Sequence, residues 1–217
     1  MVSVFPRVLR RAFLPIVLLA ALGACSLPED KDQPPANMGN FRLGHNIVVV
    51  KDPIQGPLSR KADEGSWKVV LKDEIGKRFG GYEGDKLYHL GVSVEAYVLA
   101  LPGVPLVVSP KSILIINATV WDDAAGKKLN EEPKQITVLE NLSGKTVVGS
   151  GLTQNKKQQQ RNLSVNAARA IQKWLLENPQ WFDINAEEAA AAAAAIQDGS
   201  VDTKALLDKQ NAQEATN

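Results

Sequence analysis

The chain has 217 residues, of which 44% are hydrophobic, a formal net charge of +1 at pH 7 and a single cysteine. A balance this close to neutral does not indicate the basic face of a nucleic-acid-binding protein, and the hydrophobic content is too high for a wholly disordered chain. One cysteine excludes an intrachain disulfide, so a folded domain must rely on its own core.

The first residues follow the plan of a secretory signal peptide. Arg7, Arg10 and Arg11 form a positive segment without acids, and an apolar stretch follows over residues 12–22. A membrane-spanning helix needs about 20 apolar residues, and this shorter stretch also contains a proline. We therefore expect residues 1–24 to be a signal peptide.

The end of this leader, Leu22-Gly23-Ala24-Cys25, resembles the lipobox of bacterial lipoproteins. The resemblance implies that Cys25 becomes the first mature residue, with a diacylglyceryl group on its sulfur and a third acyl chain on its amine. Each buried methylene contributes about 0.8 kcal/mol, so three chains would hold the protein almost permanently on a membrane. The alternative is a signal peptide that ends near an incidental cysteine.

The residue after the cysteine bears on location within the envelope. Ser26, in place of an aspartate, resembles the pattern of lipoproteins exported to the outer membrane. The resemblance implies a chain anchored in the outer membrane and facing the periplasm.

Behind the leader, the chain divides by composition. Residues 25–40 are polar and rich in proline, which predicts a flexible tether that spans on the order of 20 Å. Residues 41–182 carry sustained apolar periodicity over a length that suits one domain. Residues 183–217 form an alanine-rich tail that we expect to be helical in part, capped by Asn185, and then disordered.

The first predicted elements of the domain are a strand and a helix. "HNIVVVKDP" is a short apolar run that stops at Asp52-Pro53, which is typical of a strand. Apolar residues then recur every four positions, which predicts one buried helical face: Trp67, Leu71, Ile75 and Phe79. Asp63 or Ser66 can cap this helix, and Gly80-Gly81 suits a left-handed C-terminal cap.

Two long strands follow, and their alternation predicts a sheet with one packed side. In "KLYHLGVSVEAYVLALPG", one face has the apolar residues Tyr88, Leu90, Val92, Val94, Ala96, Val98 and Ala100, and the other has His89, Ser93, Glu95 and Tyr97. "KSILIINATVWDD" is the second long strand, and "DDAAGKK" predicts a turn. "KQITVLE" and "KTVVGSG" are shorter strand candidates.

The domain closes with a second amphipathic helix, whose apolar stripe is Leu163, Ala167, Ile171, Trp174 and Leu175. The order β-α-β-β-β-β-α predicts an α+β two-layer sandwich, in which a mostly antiparallel sheet of four to five strands carries two helices on one face.

This order, the lipobox and the closing "NAARAIQKWL" helix together resemble the small α/β domains of outer-membrane lipoproteins. The chain is similar to the LPS-assembly lipoprotein and the ABC-transport auxiliary lipoproteins, and above all to an uncharacterised proteobacterial lipoprotein family. The resemblance implies a role in envelope assembly or transport. Cys25 is the one functional residue that it assigns in this sequence.

The motifs of catalysis and metal binding are incomplete in this sequence. "LSGKT" lacks the first glycine of a phosphate-binding loop and leads into a predicted strand instead of a helix. His45 and His89 lack the further ligands of a zinc site. We therefore expect no enzymatic activity, no metal and no cofactor.

Two surfaces are candidates for partner binding. The apolar connection "LALPGVPLVVSP" contains Leu101, Val104, Leu106, Val107 and Val108, although it could also fold back on the core or extend the next strand. On the sheet face opposite the helices we expect Tyr97 and Trp121 beside Asn117 and Thr119, which suits a protein interface or ordinary cross-strand packing.

These patterns favour a lipid-anchored binding or scaffold module that faces the periplasm and binds another envelope protein. The alternative is a carrier of lipid or another small apolar ligand, with a groove between the sheet and the helices.

Overall fold

The computed structural model describes residues 36–101, 112–140 and 155–196. The chain divides into two compact units, 1–36 and 37–217, and the described residues belong to the second unit apart from Ala36. Within these three described ranges, no helix combines the length and the apolar character needed to cross a membrane.

A five-stranded sheet forms one layer of the domain. Its strands are β1 (Phe41–Gln55), β2 (Lys86–Val98), β3 (Ile113–Asp122), β4 (Lys127–Lys128) and β5 (Lys134–Leu139). They lie in the order β1-β2-β3-β4, and β5 also pairs with β3. Among the described strands, only β1 and β2 run parallel, because a helical crossover joins them, and the other pairs are antiparallel.

The helices are α1 (Glu64–Phe79), α2 (Lys156–Leu176) and α3 (Ala186–Ala195), with a 3-10 turn at Pro179–Trp181. The predicted α+β fold is confirmed. Of the two candidate caps of α1, Asp63 takes the role, since its side chain accepts the Ser66 N–H at 2.8 Å. The left-handed cap expected at Gly80-Gly81 is wrong: neither glycine has a positive φ, and the Gly80 N–H, at a φ of −70°, continues the helical pattern by bonding to Gly76.

The apolar stripes predicted for both long helices are buried against the sheet. Trp67, Leu71, Ile75 and Phe79 of α1 are all 0% exposed, as are Leu163, Ala167, Ile171 and Leu175 of α2. From the sheet, the alternate residues Leu114, Ile116 and Val120 of β3 meet them and are also 0% exposed. The core therefore lies between the helices and one face of the sheet.

An aromatic cluster joins the beginning of the domain to its end. Phe41 stacks on Tyr88 with 5.5 Å between ring centroids and meets Phe182 edge-on at 5.5 Å. The Asn40 N–H donates to the Phe182 carbonyl at 2.9 Å, and Met38 is 1% exposed. The packed domain thus includes residues just before 41, which the sequence pattern assigns to the tether.

The alanine-rich helix α3 also packs on the domain. Asn185 caps it as expected, accepting the N–H groups of Glu187 at 3.0 Å and Glu188 at 3.1 Å. Ala189 is 0% and Ala193 6% exposed, where α3 lies against α2. Small side chains let the two helices approach closely, so this part of the tail needs no large apolar stripe to pack.

The predicted turn after β3 forms as expected. Asp122 accepts the Ala125 N–H through its side chain at 2.9 Å, and Gly126 has a φ of +61°, which favours glycine. This turn places β4 beside the end of β3.

Candidate binding face of the sheet

The sheet face opposite the helices carries large apolar side chains that remain exposed. Ile47 and Val49 on β1 are 55% and 52% exposed, and Trp121 at the end of β3 is 40% exposed. Polar residues of β2 and β3, among them Ser93 and Asn117, lie between them. This combination of apolar anchors and a polar surround is typical of protein interfaces.

A shallow depression of about 220 Å³ lies on this face. Gly91 forms part of its floor, because it pairs with Ile47 on one side and Thr119 on the other and has no side chain to fill the space. The lining residues are Ile47, Val49, Gly91, Val92, Ser93, Asn117, Thr119 and Pro133. The depression is therefore largely apolar and open to solvent.

Beside Trp121, a histidine links three segments of the chain. His89 Nδ1 accepts the His45 backbone N–H at 2.9 Å, and His89 Nε2 lies 2.9 Å from an Asp123 carboxylate oxygen. This pattern assigns the ring proton of neutral His89 to Nε2, which donates to Asp123. A Cβ at Gly44 would lie 2.4 Å from His89 Nδ1. The glycine at this position of β1 therefore leaves room for the His89 imidazole.

The histidine and serine side chains that nucleophilic catalysis would need are already hydrogen-bonded to other groups. Both His89 nitrogens already have partners, and the Ser93 hydroxyl donates to Glu95 at 2.5 Å. In the described part of the chain, no group of three or more His, Cys, Asp or Glu side chains could hold a metal ion. The sequence-based expectations about enzymatic activity and metals stay predictions.

Trp121 lies on this face, as expected, but Tyr97 does not. Tyr97 is 3% exposed, its ring lies 5.5 Å from that of Trp67 in the core, and its hydroxyl accepts the Ala62 N–H at 3.1 Å. A register irregularity between Val94 and Ala96 inserts one residue into β2 and exchanges the two faces beyond it. The predicted position of Tyr97 on the open face is therefore wrong.

The other predicted site residues lie mostly outside the described residues. Leu101 is half-buried, just beyond Ala100, whose N–H donates to the Ser112 hydroxyl at 3.3 Å. The rest lie outside the described ranges: Cys25, Val104, Leu106, Val107 and Val108. The strand predicted at "KTVVGSG" lies outside them as well.

Ile47 and Val49 were not among the predicted site residues. The sequence pattern predicts a strand there, and its continuous apolar run gave no indication of which residues stay exposed. Their exposure follows from their position on the sheet face opposite the helices, which depends on how the layers pack.

A buried carboxyl group lies at the end of β5. Glu140 is 5% exposed, and burial raises the pKa of its side chain; neighbouring Ser112, Asn162 and Arg60 favour the charged form without offsetting that rise. A carboxyl group whose pKa is raised by folding stabilises the fold fully below its ordinary pKa of about 4.3. That contribution is lost as the pH rises through the raised value.

We therefore expect Glu140→Gln to increase the free energy of unfolding at about pH 8, by on the order of 1 kcal/mol, because it removes a buried charge. The gain should vanish near pH 4, where the wild-type carboxyl group is already protonated. Urea unfolding at both pH values measures this, with Glu83→Gln at an exposed position as the control. Equal effects at the two pH values would contradict the assignment.

No protein-family model and no curated relative matches the chain. Among solved structures, it is similar to a DUF330 protein from Xanthomonas campestris at 13% identity and a TM-score of 0.42, over 70% of this chain and 94% of that one. A candidate lipoprotein from Caulobacter crescentus matches at 12% identity and a TM-score of 0.33, over 64% and 92%. A minor lipoprotein from Acinetobacter baumannii matches at 15% identity and a TM-score of 0.27, over 63% of this chain and 92% of that one.

At these TM-scores and sequence identities, the structural similarities support no conclusion about function. The resemblance to LPS-assembly and ABC-transport auxiliary lipoproteins stays a prediction. The fold and the face together define an α+β domain with one sheet surface open for binding.

Proposed function

We propose that this protein is a lipid-anchored binding module of the bacterial cell envelope, held in the outer membrane through Cys25 and facing the periplasm. Its open sheet face binds another envelope protein, so that it serves as an accessory subunit of an assembly or transport system. The observation that carries the proposal is the exposed apolar set of Ile47, Val49 and Trp121 around the depression. The leader pattern supports the anchor.

The composition of the face favours a protein partner. Tryptophan is among the residues that most often dominate binding energy, and Trp121 lies beside the polar pair His89–Asp123, which suits an anchor with a hydrated rim. Covering apolar area contributes about 25 cal/mol per Å² before the costs of association. A partner that excludes water from this face therefore gains binding free energy.

Two observations weigh against the alternative, a carrier of small apolar ligands. The depression of about 220 Å³ lies on the outer face of the sheet and is smaller than the roughly 300–1,000 Å³ of most ligand pockets. Between sheet and helices, where a carrier groove was expected, Trp67, Leu71 and Leu114 are 0% exposed. Stoichiometric lipid in native mass spectra of the purified protein would favour the carrier instead.

We expect Trp121→Asp to weaken partner recovery at least about tenfold, because losing an aromatic hot-spot residue costs about 2 kcal/mol or more. Crosslinking in living cells followed by purification of the full chain measures this recovery. The matched control is Val69→Asp, which places the same charge at a 68% exposed apolar residue on α1. If both variants recover the partner like the wild type, the open sheet face is not the binding surface.

A further inference from the structure

The open face ends at β1, which is an edge strand. Among the described residues, β1 pairs with β2 on one side and with no strand on the other. An edge strand presents unpaired N–H and C=O groups to which another chain can add. Native proteins usually protect such edges with bulges, lysine, proline or a covering element.

In β1, these protective features occur at both ends and leave the centre unprotected. One irregularity lies between Leu43 and Asn46, and another lies between Val50 and Ile54. The second contains Lys51 and Pro53, with Asp52 at a φ of +46°. Between them, residues 46–50, "NIVVV", keep continuous register with β2 and carry no charge.

This central window has the alternation that an added strand needs. Val48 faces the core at 3% exposure, whereas Ile47 and Val49 lie on the open face at 55% and 52%. A strand added at this edge would place its own alternate side chains beside Ile47 and Val49. It would thereby extend the apolar surface of the depression.

The charges around the window indicate the chemistry of the added strand. Along β1, the apolar pair Ile47 and Val49 lies between His45 and Lys51, and Lys51 places a positive charge at one end of the window. At this end of the strand, the Asp52 backbone N–H donates to the Glu64 carboxylate of α1 at 3.0 Å. A carboxylate at the corresponding end of an incoming apolar strand would complement Lys51.

The charge of Lys51 also favours a different partner over a second copy of the chain. A two-fold dimer through this edge would pair the two β1 strands antiparallel. Centred on Val48, that pairing places His45 of one copy opposite Lys51 of the other. This pairing brings no carboxylate to Lys51, whereas a strand from a different partner can do so.

We propose that residues 46–50 of β1 accept an extended strand from the protein partner, with β-branched residues at its centre and a carboxylate at the end that meets Lys51. The proposal rests on the proposed function and specifies how the partner binds. Backbone hydrogen bonds along the edge supply affinity, and the open-face side chains of the window supply selectivity.

The test uses the full chain in detergent and two synthetic peptides of alternating valine and threonine, one with aspartate at both ends and one with lysine. We expect the aspartate peptide to bind more tightly in fluorescence polarisation. We also expect the amides of residues 46–50 to gain protection from hydrogen exchange when it binds. Equal affinity for the two peptides, or protection elsewhere in the chain, would overturn the proposal.

A charge reversal gives the sharper result. Lys51→Glu should weaken binding of the aspartate peptide about two- to fivefold at low salt and strengthen binding of the lysine peptide, as expected for one exposed charge pair. Lys68→Glu, on the exposed side of α1, makes the same change in net charge and should alter neither affinity. Self-association of the wild type that Lys51→Glu alters would assign the edge to a second copy and overturn the proposal.

These results are separable from the test of the proposed function. If Trp121→Asp abolishes recovery of the cellular partner while neither peptide protects residues 46–50, the sheet face binds the partner without strand addition. If peptide addition is observed and Trp121→Asp has no effect, the edge binds a partner and the proposed role of the face is wrong.

Discussion

Trp67→Ala is expected to lower the free energy of unfolding by about 3–5 kcal/mol, the largest single effect that we predict for the fold. Trp67 is 0% exposed, begins the apolar stripe of α1 and contacts the ring of Tyr97 at a centroid distance of 5.5 Å. Its replacement leaves a cavity beneath the sheet that the surrounding residues can fill only in part. Since domains are stable by about 5–15 kcal/mol, the loss is a large fraction of the total.

Trp67→Phe is the matched control. The indole N–H of Trp67 is buried and has no hydrogen-bond partner among the described residues, so phenylalanine removes an unsatisfied donor while it keeps most of the apolar contact. We expect this variant to be clearly more stable than Trp67→Ala in urea unfolding. Equal losses for the two variants would show that the indole contributes more than its apolar volume.

Cys25→Ser is expected to move the protein from the membrane fraction to the soluble fraction almost completely. Under the proposed function, the acyl chains on this residue are the anchor, and three chains bind far more strongly than the single chain that holds only marginally. Fractionation of cells, together with incorporation of labelled palmitate, measures the effect.

Ser26→Ala serves as the neighbouring control and should retain both the label and the membrane location. If the wild-type chain takes up no palmitate, the lipobox interpretation is wrong. If Cys25→Ser stays in the membrane fraction to the same extent as the wild type, another part of the chain holds it there.

The helices and most strands could be predicted because their signals are local. The four-residue spacing of Trp67, Leu71, Ile75 and Phe79 identifies the buried face of α1 without reference to any other segment. The alternation from Tyr88 to Val94 does the same for the first half of β2. In these segments the periodicity of the backbone converts sequence directly into orientation.

Tyr97 shows where this reasoning ends. Strict alternation puts it on the open face, but the irregularity after Val94 turns it into the core, where its hydroxyl bonds to the backbone of Ala62. The inserted residue is a property of the pairing between β2 and β3. The alternation of β2 alone cannot indicate where its partner strand will skip a residue.

The sequence by itself determined the helical stripes, the α+β class, the main turn and the pattern that predicts a lipid anchor. Only the tertiary structure decided that β1 lies at the edge of the described strands, that Ile47, Val49 and Trp121 share an open face, and that α3 packs on α2. The physical reason is that periodicity is encoded within one segment. Edges, open faces and helix contacts depend on which distant segments pair.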